Sequence, residues 1–133
     1  MERRHDAVEA RMTTQPSPQT SHKAWLNKVH CGDAVKVLGE LPANFVDTIV
    51  TSPPYYRQRD YAHKKQIGQE ASPAAYVERL VELFSAARSV LKPTGSMWVV
   101  IGDKYERGQL LGMPWRLALG LKDDGWWLRS DVI

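Results

Sequence analysis

The sequence predicts an α/β fold in which a mainly parallel sheet carries helices on both of its faces. Short runs of apolar and β-branched residues alternate along the chain with amphipathic segments of helical period. The resulting order, β-α-β-α-β-α-β, requires crossover connections, which join parallel strands through helices packed on the sheet. A length of 133 residues limits the chain to one domain, and 43% hydrophobic with 25% charged residues is typical of a globular protein.

Residues 1–24 are predicted to form a disordered tail, and residues 25–133 the folded part. The tail mixes charged residues with threonine, glutamine, serine and proline, and it shows no apolar period. A segment of this composition cannot bury enough apolar surface to offset the entropy lost on ordering.

Composition also excludes several classes of protein. No apolar run approaches the roughly 20 residues of a membrane-spanning helix, and the N-terminus lacks the apolar segment of a secretory signal. Cys31 is the single cysteine, so it forms no internal disulfide, and no spacing of cysteines and histidines indicates a metal site. We therefore expect a cytoplasmic protein with no membrane partner and no metal. The net charge of +3 permits a nucleic-acid partner without requiring one.

The first half of the folded part is predicted to contain two strands and one helix. Residues 25–31 form a short strand, and Asp33 is a good N-cap for the helix that follows it. Residues 45–50 are apolar or β-branched except at Asp47, which is typical of a buried parallel strand. Residues 51–71 are polar, tyrosine-rich and irregular, so they are predicted to form a long loop.

The second half begins with a predicted helix that Ser72 caps. Pro73 occupies the first helical position, where its missing N–H costs nothing, and apolar residues recur at helical spacing as far as Leu91. The Lys-Pro-Thr-Gly segment at 92–95 is predicted to end this helix.

Residues 96–101 are a second run typical of a buried strand, a third helix follows Pro114, and residues 126–133 are predicted to form a last strand. Taken together, the elements predict part of a Rossmann-like fold.

A Thr-Ser-Pro-Pro-Tyr motif at residues 51–55 directly follows the first buried strand. Ligands of open α/β sheets bind outside the carboxyl ends of the strands, so the motif lies where a site is expected. The two prolines fix φ and remove two N–H donors, leaving rigid carbonyls that can only accept.

An exocyclic amine of a base, which must become more tetrahedral and lose a proton to accept a methyl group, could donate to the Ser52 hydroxyl and the Pro53 carbonyl. Tyr55 offers a flat face for a base flipped out of the duplex. A plain Pro-Pro turn or a polyproline segment is the alternative.

Further short motifs accompany this one in a fixed order. They are Cys-Gly-Asp-Ala at 31–34, Leu-Pro at 41–42, Val-Asp at 46–47, Asp-Tyr at 60–61, Ala-Tyr at 75–76, Val-Leu-Lys-Pro-Thr-Gly-Ser at 90–96, Ile-Gly-Asp at 101–103 and Gly-Trp-Trp-Leu-Arg at 125–129. From Cys31 to Ile133 the sequence thus resembles the DNA amino-methyltransferases whose catalytic region precedes the cofactor region, and it is similar to the PvuII-type cytosine-N4 enzymes. The proline motif is the specific part of this resemblance.

The resemblance implies that S-adenosylmethionine is the cofactor and that double-stranded DNA, with a flipped base, is the substrate, as in restriction-modification. The implied catalytic residues are Ser52, Pro53, Pro54 and Tyr55. Serine before the two prolines is most often seen with cytosine-N4 targets, although enzymes of both kinds carry it. We therefore expect methylation of cytosine N4, with adenine N6 as the alternative.

Three residues are candidates for binding the cofactor: Asp33, Thr51 and Asp103. Asp33 resembles the acidic residue near the cofactor adenosine, and its alternative role is a plain helix N-cap. Asp103 ends the second buried strand and is expected to hold either cofactor or base, with a solvated loop aspartate as the alternative.

The sequence contains no Phe-x-Gly-x-Gly segment, the glycine-rich loop that this family places after its recognition region. The chain also ends inside a predicted strand. We therefore expect residues 25–133 to be the N-terminal catalytic part of an apparently truncated methylase. The alternatives are a catalytically incomplete fragment that only binds DNA and, less favoured, a methyltransferase acting on RNA or protein.

The loop after the proline motif combines cations with tyrosines, a pairing suited to phosphate contact and base stacking. We call residues 56–65 the basic loop. Its predicted DNA-binding residues are Tyr56, Arg57, Arg59, Tyr61, Lys64 and Lys65. A solvated loop without a ligand is the alternative.

Overall fold

The computed structural model describes residues 22–132 of the chain. All but the last three residues of the predicted 1–24 tail therefore lie outside the described residues, and those three, His22–Ala24, form a short 3-10 helix. No helix in the described part is long and apolar enough to cross a membrane.

Helices alternate with short strands along the described chain. The elements are α1 Ala34–Glu40, β1 Val46–Thr51, α2 Pro73–Val90, β2 Leu91–Val99, β3 Tyr105–Glu106, β4 Gln109–Leu110 and α3 Met113–Asp123. β1 and β2 are parallel neighbours joined by α2, whereas β3 and β4 form a separate antiparallel hairpin. The arrangement is compatible with the predicted α/β fold, and the parallel sheet formed within residues 22–132 has two strands.

Local capping chemistry sets where two of the helices begin. The Asp33 carboxylate accepts a hydrogen bond from Lys36 N at 3.2 Å, so the predicted cap of α1 is confirmed. The Ser72 hydroxyl likewise accepts from Ala75 N at 3.2 Å, and Pro73 lies in the first turn of α2 as predicted. Each side chain satisfies one backbone donor that the first helical turn leaves without a partner.

A glycine sets where α3 ends. Gly125 has a φ of +95°, a left-handed conformation that a residue without a Cβ adopts most easily. Gly125 N donates to Lys122 O at 3.0 Å and Trp126 N donates to Leu121 O at 2.9 Å. This pair of bonds is a Schellman motif, which satisfies carbonyls in the last helical turn.

The register between β1 and β2 contains an irregularity. Val46 pairs with Leu91, whereas Thr48 pairs with Ser96, so β2 has extra residues between the two pairs. The segment at 92–95, predicted to end α2, instead lies inside β2. The reason is that α2 already ends at Val90 and the chain turns extended at once, which leaves the proline and glycine in the bulge of a strand rather than in a turn.

The core lies between β2 and the two longer helices. Its buried members come from α2, α3 and the start of the basic loop: Tyr56, Tyr76, Leu80, Phe84, Met113 and Leu117. Met97, Val99 and Ile101, which alternate along β2 and its extension, pack against this cluster. One face of the parallel sheet is therefore covered by helices.

The opposite face of the sheet is uncovered in residues 22–132. Thr48 and Ser96 are exposed there, and the exposed fractions of Val50, Trp98 and Val100 are 73%, 55% and 58%. The prediction of helices on both faces is thus wrong for the described residues. The alternation of side-chain direction along β1 and β2 predicts which side chains share a face of the sheet, but it does not predict what covers each face.

Two predicted strands are absent from the described residues. Residues 25–31 curl into a turn and an exposed segment, with Asn27 at a φ of +56° and Val29 98% exposed. Residues 126–132 are irregular and mostly exposed, and Ile133 lies outside the described residues. A strand is stabilised by hydrogen bonds to a neighbouring strand, and neither segment pairs with β1 or β2.

The hairpin of β3 and β4 was not predicted. Its connecting residues Arg107 and Gly108 both have positive φ, at +51° and +80°, which are the signs of a type I′ turn. Two residue pairs hold it, Tyr105 with Leu110 and Glu106 with Gln109. The strands are too short for a period of two to be visible in the sequence.

Gly125 and Gly39 differ in backbone conformation and in the space around them, and this difference predicts opposite effects of alanine on stability. Gly125→Ala should lower the free energy of unfolding by about 1–2 kcal/mol, because alanine is strained at positive φ. Its Cβ would also lie 2.9 Å from an Arg88 guanidinium nitrogen. Gly39→Ala is the matched control: a Cβ in α1 meets nothing within 4 Å, and alanine should raise stability by up to about 1 kcal/mol. Urea denaturation measures both, and shifts of equal sign would contradict the argument.

Candidate active site after the first strand

The proline motif begins where β1 ends. Thr51 pairs with Val99 in the parallel sheet, and its carbonyl accepts a hydrogen bond from Val100 N at 2.9 Å. Ser52 then leaves the sheet with an exposed side chain, and Pro53 is buried. The predicted place of the motif, at the carboxyl end of a parallel strand, is therefore confirmed.

The hydroxyls of Ser52 and Tyr55 lie close together. The Ser52 hydroxyl donates to Tyr55 Oη at 3.4 Å, a distance at the long end for a bond between hydroxyl oxygens. Since Ser52 is the donor, the lone pairs on its oxygen remain free to accept. An incoming N–H group can reach this oxygen because the side chain is exposed.

The Tyr55 ring packs on bare backbone at Gly102. A Cβ added at Gly102 would lie 2.8 Å from both Cδ2 and Cε2 of the ring, which is closer than real carbon atoms approach. Any side chain at this position would therefore displace the ring. Gly102 thus fixes one side of the aromatic group predicted to stack on a base.

The motif's carbonyl oxygens have different partners. Tyr76 Oη donates to the Pro54 carbonyl at 2.9 Å, and Gln58 N donates to the Tyr55 carbonyl at 3.3 Å. The Pro53 carbonyl accepts no hydrogen bond from another residue in the described part of the chain. Burial raises the pKa of Tyr76, and Glu70 and Tyr55 raise it further, so this hydroxyl keeps its proton and remains a donor.

The loop after the motif folds back onto it at Gly68. Arg57 N donates to the Gly68 carbonyl at 2.6 Å, and Gly68 has a φ of +104°. A Cβ at Gly68 would lie 3.1 Å from the Tyr55 carbonyl oxygen and 3.2 Å from Pro54 Cβ. The motif therefore lies between two close backbone contacts, at Gly68 and at Gly102.

Tyr56 does not have the surface position that its predicted DNA-binding role requires. Its side chain is 3% exposed, and its ring centroid lies 5.5 Å from that of Tyr76 in the core. A ring enclosed by core residues has no face free to stack on a base. Tyr56 is buried because a large aromatic side chain beside the start of α2 is stabilised more by burial than by solvent exposure.

Arg57 binds backbone rather than facing away from the protein. Its Nε donates to the Glu70 carbonyl at 3.2 Å and its Nη2 donates to the Ala71 carbonyl at 3.0 Å. The guanidinium also lies 5.3 Å from the centroid of the Tyr56 ring. Arg57 therefore ties the end of the proline motif to the segment that leads into α2, a structural role beside the predicted one.

The other predicted DNA-binding residues lie on the surface. Arg59, Lys64 and Lys65 are exposed and form no salt bridge within residues 22–132, and Tyr61 is 56% exposed. The side chain of Gln66 holds this stretch together by accepting from Tyr61 N at 2.7 Å and donating to the Arg59 carbonyl at 3.0 Å. The three cations are thus presented on an ordered loop with their charges unpaired.

Asp33 is a helix N-cap that uses only one of its two carboxylate oxygens for capping. One carboxylate oxygen accepts from Lys36 N, which confirms the N-cap interpretation. The second oxygen accepts no hydrogen bond from the described residues, and the residue is exposed. A ligand hydroxyl could still donate to it.

Asp103 holds α3 in place. Its Oδ1 accepts from Lys104 N at 2.8 Å and from Met113 N at 3.0 Å, and its Oδ2 accepts from Gly112 N at 3.1 Å. The carboxylate thereby caps α3, whose own N-cap residue is a glycine without a side chain. It also closes the base of the β3–β4 hairpin, so Asp103 has a structural role beside the predicted one and is not a solvated loop aspartate.

Two further contacts join the proline motif's loop to the end of β2. Gln58 Nε2 donates to the Asp103 carbonyl at 2.9 Å, and Lys104 Nζ donates to the Arg57 carbonyl at 3.2 Å. The segments that follow β1 and β2 are therefore connected beyond the strands themselves.

A family model for DNA methylases of the N6/N4 type matches residues 46–133, a span that contains β1, the proline motif and all later elements. The chain belongs to this DNA methylase family. The predicted family resemblance is thereby confirmed.

Curated relatives are type II methyltransferases. M.Cfr9I of Citrobacter freundii is 41% identical over 131 residues, covering 77% of this chain and 44% of the relative. M.SfiI of Streptomyces fimbriatus is 40% identical over 122 residues, covering 79% and 29%, and M.SmaI of Serratia marcescens is 36% identical over 135 residues, covering 80% and 46%. The chain spans less than half the length of these relatives. No solved structure matches it.

The site also includes residues to which the sequence analysis assigned no role at the site. Tyr76, Gly68 and Gly102 contact the motif, yet they lie 13 or more residues beyond Tyr55. Helical spacing carried a signal for the first of them, since Tyr76, Leu80 and Phe84 repeat every four residues on the buried face of α2. Gly102 belongs to the Ile-Gly-Asp motif at 101–103, whereas no comparable signal marks Gly68.

The capping role of Asp103 gives the second prediction. Asp103→Asn should lower the free energy of unfolding by about 1–2 kcal/mol, because it removes the charge and one acceptor from the donors at the start of α3. Asp123→Asn, at the other end of the same helix, is the matched control and should change stability by less than about 0.5 kcal/mol. Chemical denaturation compares the two, and equal losses would show that capping is not the cause.

Proposed function

We propose that the protein transfers a methyl group from S-adenosylmethionine to an exocyclic base amine of double-stranded DNA, with cytosine N4 as the target. The observation that carries the proposal is the pair of acceptors after β1. The exposed Ser52 hydroxyl has free lone pairs, and the Pro53 carbonyl beside it accepts no hydrogen bond from residues 22–132. Membership of the DNA methylase family and the names of the curated relatives support methylation of DNA.

The two acceptors suit the geometry that an amine must adopt. A base amine is planar because its lone pair is delocalised into the ring, and it becomes nucleophilic only as the nitrogen turns tetrahedral. Ser52 Oγ and the Pro53 carbonyl can each accept one N–H, which favours the tetrahedral form over the planar one. Since Ser52 is exposed, the proton that the amine loses has a path through the hydroxyl to water.

S-adenosylmethionine would supply the methyl group when bound, and the candidate residues fit it unequally. Asp33 fits a hydroxyl-bearing ligand, because one of its carboxylate oxygens has no partner in the described chain. Asp103 fits poorly, since its carboxylate already accepts three N–H groups. Thr51 lies beside the acceptor pair, with its carbonyl committed to Val100 N.

Tyr55 is proposed to hold a base flipped out of the duplex. Its ring is only partly buried and is held against Gly102, so it forms a fixed aromatic surface next to Ser52. Stacking against such a ring is a usual way to hold a flipped base while its amine reacts. A base on this ring would have its amine near the Ser52 hydroxyl, because that hydroxyl already touches Tyr55 Oη.

The third prediction tests the acceptor pair in a chimera in which this chain replaces the matched segment of M.Cfr9I. Ser52→Ala should lower kcat by about 10²–10³ and leave KM for DNA nearly unchanged, because the hydroxyl acts mainly as the amine turns tetrahedral. Ser89→Ala removes an exposed hydroxyl of α2 that bonds only to Ala86 O, and it serves as control. If Ser52→Ala turned over at the unsubstituted rate, the proposed catalytic role of Ser52 would be wrong and the motif would be a plain Pro-Pro turn.

The product of the same reaction decides the target base. Methylated DNA digested to nucleosides should contain N4-methylcytosine, identified by chromatography and mass. Detection of N6-methyladenine instead would support methyl transfer to DNA and would show that adenine, not cytosine, is the target base. DNA binding without any methylated nucleoside would favour a protein that only binds DNA.

The fourth prediction concerns the basic loop. Replacing Arg59, Lys64 and Lys65 with alanine should weaken DNA binding at low salt. The slope of log K against log salt should become shallower by up to about 2.7, about 0.9 for each lost phosphate contact. Fluorescence anisotropy with a labelled duplex at several salt concentrations measures both quantities.

The control for this variant removes the same charge elsewhere, at Lys36, Arg79 and Lys122. A shallower slope in the loop variant alone would locate the phosphate contacts in the basic loop. Equal slopes in the two variants would show that only net charge matters and would contradict the assignment.

A further inference from the structure

Tyr76 makes the only side-chain hydrogen bond to a proline of the motif among the described residues. It lies in the first turn of α2, its side chain is fully buried, and its hydroxyl donates to the Pro54 carbonyl at 2.9 Å. Packing alone would not require the hydroxyl, since phenylalanine has the same ring. The oxygen is placed to satisfy a carbonyl that would otherwise lack a partner in the described part of the chain.

This bond determines which motif carbonyls are left for a ligand. Pro54 O is taken by Tyr76 and Tyr55 O is taken by Gln58 N, whereas Pro53 O has no donor in residues 22–132. Without the Tyr76 hydroxyl, Pro54 O would compete with Pro53 O for the donors of an incoming ligand. Tyr76 therefore removes Pro54 O from the acceptors available to a ligand as well as anchoring the loop.

The same bond restricts the backbone on both sides of Pro54. Peptide groups are planar, and the proline ring fixes φ, one of the two angles that relate the plane before Pro54 to the plane after it. Holding the Pro54 carbonyl therefore limits the orientation of the preceding plane, which carries the Pro53 carbonyl. At the other end of the motif, the bond from Val100 N fixes the Thr51 carbonyl. Ser52 and Pro53 thus lie in a short segment anchored at both ends.

We propose that Tyr76 is a positioning residue for methyl transfer: its hydroxyl holds the Pro54 carbonyl so that Ser52 Oγ and Pro53 O face the amine together. This inference rests on the proposed function of the same site. The raised pKa of Tyr76 agrees with it, because burial favours the neutral phenol, which is the form that can donate this bond.

Tyr76→Phe tests the proposal, because it keeps the buried ring and removes the hydroxyl. In the M.Cfr9I chimera it should lower kcat by about ten- to a hundredfold, since a misplacement on the order of 1 Å can cost about 10²-fold. KM for DNA and for S-adenosylmethionine should stay unchanged, because the fully buried Tyr76 side chain offers no surface to either ligand. A wild-type kcat in this variant would overturn the inference.

Leu117→Val separates positioning from a general loss of stability. Leu117 is buried in the same core cluster, but it lies on α3 and makes no hydrogen bond to the motif. The two variants are compared at equal distances below their own unfolding midpoints. The proposal requires kcat to fall in Tyr76→Phe and not in Leu117→Val, and an equal fall in both overturns it.

A spectroscopic measurement on the 133-residue chain does not depend on activity. The carbonyl carbon of Pro54 is correlated with the amide of Tyr55 in an HNCO spectrum, and it should shift upfield in Tyr76→Phe because a hydrogen bond is lost. An unshifted carbonyl overturns the positioning role. A chimera that is inactive without any substitution would instead contradict the proposed function, and the carbonyl shift would then decide whether Tyr76 holds Pro54.

Discussion

Because β1 and β2 run parallel and in register from Thr48 to Thr51, their carboxyl ends emerge side by side. The bond from Val100 N to Thr51 O extends this pairing to the first residue of the proline motif. Everything at the site follows from that junction: the motif after β1 meets Gly102 after β2, and the Tyr55 ring comes to rest on the glycine backbone. The parallel pairing of β1 and β2 thus places the segments that follow them, which are distant in sequence, next to each other in one surface.

The sequence predicted the features that depend on neighbouring residues. The caps at Asp33 and Ser72, the proline at the start of α2 and the two central strands rest on local chemistry, and the structure has them all. The predicted strands at 25–31 and 126–133 depend on a partner strand, which periodicity does not reveal, and residues 25–132 contain neither. The placement of the motif at a strand end could be predicted, because it follows directly from the order of elements.

Side-chain roles at the site were harder to predict, because a residue type fits several partners. The sequence predicts that Arg57 binds DNA and that Asp103 binds cofactor or base, yet both side chains bind backbone groups of irregular segments. An irregular loop leaves carbonyls and N–H groups without partners, and nearby charged side chains are well suited to satisfy them. Tyr56 likewise lies beside cations in the sequence, but it belongs to the core. Only the three-dimensional arrangement distinguishes these uses from ligand binding.

Two tyrosines make opposite kinds of hydrogen bond at the motif. Tyr55 Oη accepts from the exposed Ser52 hydroxyl at 3.4 Å, a long bond that water or a substrate group can replace at little cost. Tyr76 Oη donates to Pro54 O at 2.9 Å from a fully buried position, where breaking the bond would leave a carbonyl without a partner. The proposed function requires this combination, because the atom that meets the amine must be free while the backbone that carries it stays fixed. The partly buried phenol of Tyr55 leaves the Ser52 hydroxyl free, and the fully buried phenol of Tyr76 keeps the Pro54 carbonyl fixed. Both conditions are thus met within the four residues from Ser52 to Tyr55.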